Sequence, residues 1–222
     1  MGRILSYLKD RGVLKEPGLR RISTRRRKQQ RPYAVRKPKG YQAKSPGDLV
    51  EIDTLDVRPL PGVIVKHFGA RDLVSRWDVM NVYIRATAAQ PASFLDILEQ
   101  RMPFPIKALQ ADGGSEFASQ FETQCQGRGI LLFVLPPHSP KLNADIERAH
   151  RTYTEEFYEV YDEEFDISSL REALERWEWT YNHVRRSQAL NWKSTAEYLI
   201  ERHPELASIK TRILAPPKLF NM

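Results

Sequence analysis

The sequence predicts an α/β domain: a mixed five-stranded sheet with helices on both faces, a basic arm before it and a helical extension after it. Three observations predict this. Three β-prone runs follow one another closely between Leu49 and Ile84, helical and extended runs then alternate as far as Leu135, and an amphipathic helix follows. A 41% hydrophobic content with four Trp in 222 residues supports a folded core rather than a disordered chain.

In chain order, Ile4, Leu5 and Leu8 stand at helical spacing and the run stops at Gly12. Residues 20–45, which include RRISTRRRKQQRPYAVRKPKG, read as a basic linker broken by Pro. Leu49 to Val57 is the first strand, and Pro59 to Gly62 turns it into a second, Val63 to Arg71. Trp77 to Ile84 is the third. Thr87 to Arg101 reads as a helix with Phe94, Leu95 and Leu98 on one face. Ile106 to Ala111 is the fourth strand, Ser119 to Arg128 a helix, and Ile130 to Leu135 the fifth strand. Ile146, Ala149, Tyr153, Phe157 and Val160 then step by three and four, the buried stripe of a helix. Leu170, Leu174, Trp177, Tyr181 and Val184 mark another helix, packed on the core or on a partner.

Charge is distributed unevenly. Residues 1–50 hold 15 Lys and Arg against 3 Asp and Glu, whereas the remainder holds 20 against 25. A basic arm on a mildly acidic body points to contact with a polyanion. The single Cys125 excludes an intrachain disulfide and a multi-cysteine zinc site, and is read as a small buried hydrophobe. No apolar run approaches the roughly 18 residues of a membrane span, and no secretory signal is present. The arginine-rich, acid-poor start is also a feature of organelle transit peptides, but the reading adopted is a soluble cytoplasmic protein without a membrane partner.

Three carboxylates draw together the chemistry. Asp53 lies in the extended run GDLVEIDTLDV, Asp112 follows the strand in IKALQADGGSEF, and Glu147 opens the helix in SPKLNADIERAHRT. Oxygen donors delivered from separate elements to one point are what two magnesium ions need for phosphoryl transfer. Asp and Glu make up 28 of 222 residues, so spacing alone is a weak signal. The surrounding words supply the specificity: GDLVEIDT, QADGGSEF and SPKLNxxIERxHRT, in this order, resemble the catalytic core of the insertion-sequence transposase and retroviral integrase superfamily, with the bacterial transposases most similar.

The resemblance, over roughly residues 45 to 200, implies a ribonuclease H-like fold with an integrase-like core over 46–165 and a C-terminal helical extension over 166–222. It implies that Asp53, Asp112 and Glu147 are catalytic and bind two Mg²⁺ or Mn²⁺, Asp53 bridging both. It further implies DNA cleavage and strand transfer in transposition, with DNA as partner, a homodimer or larger assembly on it, and a bacterial cytoplasmic location. Residues 1–19 resemble the tail of a helix-turn-helix module or are a stray amphipathic helix. The first alternative implies a truncated product or a start further upstream.

Neighbouring acids compete for these roles. Asp56 is three residues beyond Asp53, an odd offset that turns it to the other side of a strand. Glu116 belongs to the family's pattern but not to its metal triad, and is read as supporting or structural. Glu147 stands about 100° from Ile146 and shares a face with Asn143, Arg151 and Thr154, whereas Asp145 is about 200° away. The plain alternative for Glu147 is an ion pair with Arg151, worth a few tenths of a kcal/mol. Arg148, Arg151, Lys141 and the run Arg25, Arg26, Arg27, Lys28 are the candidate phosphate contacts. PPHSPKLN, before the Glu147 helix, reads as a loop over the site, with His138 a surface group rather than a base.

Three departures from the family pattern stand out. Asn143-Ala144 replaces Asn-Gly, Arg185-Arg186-Ser187-Gln188 replaces Arg-Pro-His-Gln, and Thr195 replaces a Pro before the last helix. Two rival readings remain: a non-catalytic DNA-binding relative that occupies DNA or inhibits full-length transposase, and a ribonuclease of the same fold. The ribonuclease would bring a fourth carboxylate, which the sequence does not make obvious.

Overall fold

β1 (Val50–Leu60) is the centre of the sheet, and its alternation of faces organises everything around it. The computed structural model describes residues 31–84, 89–136, 143–204 and 206. The chain divides into Met1–Pro32 and Tyr33–Met222, and the fold is that of the second unit. The predicted residue 1–19 helix, Arg25–Lys28, His138 and Lys141 lie outside the described residues.

β1 runs antiparallel to β2 (Val63–Asp72), which runs antiparallel to β3 (Asp78–Tyr83). On its other side β1 is parallel to β4 (Ala108–Ala111), itself parallel to β5 (Leu131–Val134). The order β3-β2-β1-β4-β5 is the expected mixed five-stranded sheet. Pro61-Gly62 makes the β1–β2 turn, with Gly62 at φ 81°, where proline presets the first corner and glycine accepts the positive φ of the second. Pro59 cannot donate to the ladder, and the register shifts between Val57 and Leu60 around it.

The two faces carry separate cores. Val50, Ile52, Phe68, Ala70, Val79, Leu109 and Ala111 meet Phe94, Leu95 and Leu98 of α1 (Ala89–Arg101) and Phe121 and Cys125 of α2 (Gln120–Gly127). Opposite them, Val65, Met80 and Val82 meet Ile146, Ala149 and Tyr153 of α3 (Ala144–Tyr153) and Leu170, Leu174 and Tyr181 of α4 (Ile167–His183). Each Val, Leu, Ile, Met or Phe among them, fully buried, contributes about 1.5–3 kcal/mol. α5 (Thr195–Arg202) returns Ala196 and Leu199 to the first core; Ser194 and Glu197 form a capping box at its start. Thr195 is thus at the first helical position, where the family's proline is readily accommodated.

Beneath α3 and α4, Arg71 is locked between elements. Its Nε donates to Asp78 Oδ1 at 2.7 Å and its Nη2 to Asp78 Oδ2 at 2.6 Å, with further bonds to the Tyr181 hydroxyl and the Asp145 carbonyl. Tyr153 completes the knot through Asp78 Oδ2 at 2.6 Å. Both helices are thereby fixed to β2 and β3.

Both outer strands are closed. On β3, Asn182 receives Asp78 N–H at 2.9 Å and donates to its carbonyl at 2.7 Å, Glu178 accepts Met80 N–H at 2.6 Å, and Arg101 and Arg171 donate to the Met80 and Val82 carbonyls. On β5, Val35 forms a parallel bridge to Phe133, with N–H to Leu132 O and Val134 N–H to Val35 O both at 2.9 Å. Tyr33 N–H and hydroxyl bond to Glu122 and Ile130.

The stripe predicted to run to Val160 breaks earlier. After Tyr153 the helix passes into a π turn, Thr154–Tyr158, closed by Glu159 N–H to Thr154 O at 2.9 Å. The helix ends there, so Phe157, within the turn, remains buried while Val160, beyond it, is 65% exposed. Val184, likewise expected on a buried stripe, lies just past the end of α4 and is exposed.

Candidate active site

β1 and β4 present polar side chains on the α3 side of the sheet, two per strand and in register. Glu51 pairs with Gln110, and the pairing ends at Ile52 with Ala111. Asp53 and Asp112 each come one residue later, side by side where the parallel pair opens at the carboxyl end of β4, the edge where α/β active sites gather.

Asp112 is held by its loop. Gly114 N–H donates to Asp112 Oδ1 at 2.9 Å. A Cβ on Gly114 would stand 2.8 Å from that oxygen and 2.7 Å from Glu116 Oε2, so glycine is what lets both carboxylates lie against the turn. Glu116 reaches back to β1, accepting from the Thr54 hydroxyl at 3.4 Å. It therefore stands beside the site's carboxylates, close enough for its charge to act on Asp53.

Asp53 is bound from two sides: Thr54 N–H donates to Oδ1 at 2.8 Å, and Asn143 Nδ2 to Oδ2 at 3.2 Å. Asn143, the residue kept from the family's Asn-Gly, is the N-cap of α3, and its side chain ties the start of that helix to the strand. His150 Nδ1 is 3.9 Å from Asp53 Oδ2. Burial, then the neighbouring Arg71 charge, pushes this imidazole down to about 4, so it is neutral and forms no ion pair. α3 crosses β2 closely at Gly69, where a Cβ would meet His150 and His67 Nε2 at 3.2 and 3.3 Å.

Glu147 projects from the exposed side of α3, away from buried Ile146 and Ala149. Among the described residues it makes no ion pair with Arg151; Arg148 pairs instead with Asp145 at 2.6 Å, and Asp145 also engages Arg76, off the site. Asp56 is exposed and paired with Lys66, as its odd offset predicted. Arg148 and Arg151 are exposed on the same helix as Glu147.

The cluster is electrostatically crowded. Burial first, and then the charges of Asp112, Glu147 and Glu116, push the Asp53 carboxyl up from 3.8 to about 7, against the favourable Thr54 N–H bond. Burial also raises Glu51 to about 7, opposed by a hydrogen bond from Ile146 N–H. Among the described residues no Lys or Arg pairs with Asp53, Asp112, Glu116 or Glu147, and no three acidic, His or Cys side chains close on a single point as a finished metal site. Hard oxygen donors gathered without a compensating cation fit Mg²⁺ or Mn²⁺ in chemistry.

A mixed sheet of this order, flanked by helices, with carboxylates at the opening of its central parallel pair, defines the ribonuclease H-like fold of integrase catalytic cores. Residues 128–194 match the model of the family described as Integrase core domain. Among solved structures, the catalytic core domain of BIV integrase is similar at TM-score 0.56 and 23% identity, over 72% of this chain and 98% of that one. The HTLV-2 integrase catalytic core domain in complex with magnesium is similar at TM-score 0.54 and 15% identity, over 69% and 96%. A chain of the simian T-cell lymphotropic virus intasome is similar at TM-score 0.58 and 16% identity; 85% of this chain spans 60% of that one. A search of curated proteins found no match. The family match and the shared fold bear out the resemblance to the transposase and integrase superfamily.

Sequence patterns alone did not assign a role at the site to Glu51, Asn143 or His150. Glu51 shares Asp53's strand face at an offset of two, and His150 adjoins the buried stripe, so periodicity hints at both. Asn143 shares Glu147's helix face, but its bond to Asp53, across 90 residues, has no local signal.

Proposed function

We propose that this chain is the core of a DDE-type transposase that cleaves DNA strands and transfers them in a metal-dependent reaction. The observation that carries the reading is the adjacency of Asp53 and Asp112 on paired parallel strands, with Glu147 within reach of Asp53's charge. Asp53, Asp112 and Glu147 would hold the divalent cations, Mg²⁺ or Mn²⁺. Bound there, such ions would supply Lewis-acid activation of a water or DNA 3′-hydroxyl and charge stabilisation of the leaving oxygen. Asn143 and Thr54 N–H keep the Asp53 oxygens aimed, and Gly114 N–H does so for Asp112. Arg148 and Arg151 contact DNA phosphates beside Glu147, and Lys141 with Arg25, Arg26, Arg27 and Lys28 contributes backbone contacts that are salt-sensitive rather than sequence-specific. Bringing two DNA ends together calls for a homodimer or larger assembly on DNA.

The test is nicking of supercoiled plasmid by the full chain with Mn²⁺ or Mg²⁺, compared with Asp112→Asn. Metal-dependent cutting that disappears in the variant supports the reading. A second reading, a non-catalytic DNA-binding relative, rests on the exposed Arg148 and Arg151 of α3, which would meet phosphates without any metal. Salt-sensitive, metal-independent binding without cutting would support that one and sink the first.

A further inference from the structure

Glu51 is 3% exposed, two residues before Asp53 on the same face of β1. Its Oε1 accepts from Gln110 Nε2 at 3.0 Å, and its Oε2 accepts Ile146 N–H at 3.0 Å. Gln110 is two residues before Asp112 on β4, and Ile146 immediately precedes Glu147 on α3. One buried carboxylate thus touches all three elements of the proposed site, each within two residues of a member of the triad.

A buried carboxylate without a cationic partner is a costly way to join strands, and among the described residues Glu51 has no ion pair. A hydrophobic side chain would fill the space, but it could not bond the Ile146 N–H or the Gln110 amide. At the first turn of α3 the acceptor satisfies a backbone donor that no intrahelical carbonyl reaches.

We propose that Glu51 is the positioning residue of the site, joining β1, β4 and the start of α3 so that Glu147 is presented to Asp53 and Asp112. This rests on the proposed transposase reading and acts through the three ligands, without contact to substrate. Outer groups that orient metal ligands typically cost about 10- to 100-fold in metal affinity or activity when lost.

The experiment uses the full chain as wild type, Glu51→Ala, Glu51→Gln and Gln110→Met. It reads Ile146 amide exchange, Mn²⁺ binding by the loss of the free-ion EPR signal, and kcat and KM for plasmid nicking. In Glu51→Ala, Ile146 exchange rises at least about tenfold and Mn²⁺ affinity and kcat fall about 10- to 100-fold, while KM for DNA stays within about threefold. Glu51→Gln, which keeps an acceptor, recovers to within about threefold of wild type. A folded Glu51→Ala protein with wild-type Mn²⁺ affinity and kcat overturns the proposal, as does a glutamine variant no better than alanine. Should Glu51→Ala fail to fold, Gln110→Met must lower Mn²⁺ affinity, and an unchanged affinity overturns it. If wild type neither binds Mn²⁺ nor cuts, the transposase reading fails by itself. Ile146 exchange then decides whether Glu51 holds α3, and unchanged exchange in the variants overturns that too.

Discussion

Asp53→Asn separates the stability of the site from its function. Without metal, the Asp53 carboxyl titrates near 7 in the folded chain instead of 3.8. Because the folded state holds this proton more tightly than the unfolded state, the associated stability is full below about 4 and is lost as pH rises towards 7. At about 1.4 kcal/mol per tenfold change in proton affinity, the ceiling is about 4 kcal/mol. The side chain is 19% exposed, so solvent screening reduces this to about 2 kcal/mol. Asparagine carries no charge and keeps a carbonyl for Thr54 N–H. The variant should therefore melt roughly 4–8 °C higher than wild type at pH 8 in EDTA, with an advantage that shrinks towards pH 4. Mn²⁺ should raise the wild-type melting temperature at pH 8 but not that of the variant. Thermal unfolding followed by circular dichroism across this range decides it. An advantage independent of pH, or no gain at pH 8, would refute the repulsion argument.

Other perturbations probe the same geometry. Gly114→Ala puts a Cβ against the Asp112 and Glu116 carboxylates, so metal-dependent nicking should fall at least about tenfold while the melting temperature moves by only a few degrees. Burial raises Glu178 to about 7 despite Arg101 and the Met80 N–H; its stabilising share is therefore lost as pH rises from about 4.5 to 7, and Glu178→Gln should flatten that slope in urea titrations. Arg71→Met leaves Asp78 charged and buried without its partner, costing about 3–5 kcal/mol by chemical denaturation, whereas exposed Arg148→Met should change stability by less than about 0.5 kcal/mol.

The strand pattern was legible because local rules govern it, whereas the candidate carboxylates came from the motif resemblance, with local rules only separating them from their neighbours. Alternation turned Asp53 and Asp56 to opposite sides, and helical phase separated Glu147 from Asp145; both separations hold in the structure. Val160 escaped because the helix ends in the Thr154–Tyr158 turn, and periodicity does not mark where a helix stops. Residues 33–36 read as charged linker, yet Val35 pairs with Phe133 and Tyr33 with Glu122. These contacts, like the bonds of Glu51 to Gln110 and Ile146, join positions 59 to 98 residues apart, a separation no window of sequence spans.

The closed sheet edges limit how copies of this domain can associate. Val35 occupies β5, and side chains of α1 and α4 satisfy the backbone of β3 much as a sixth strand would. A neighbouring chain finds no ready ladder at those positions, so self-association by strand addition, the route to runaway fibres, is blocked. Contacts between copies of the domain must then form through helix surfaces and loops. Opening the β3 edge, for instance by exchanging Asn182 for leucine, would remove that protection and favour aggregation of the domain.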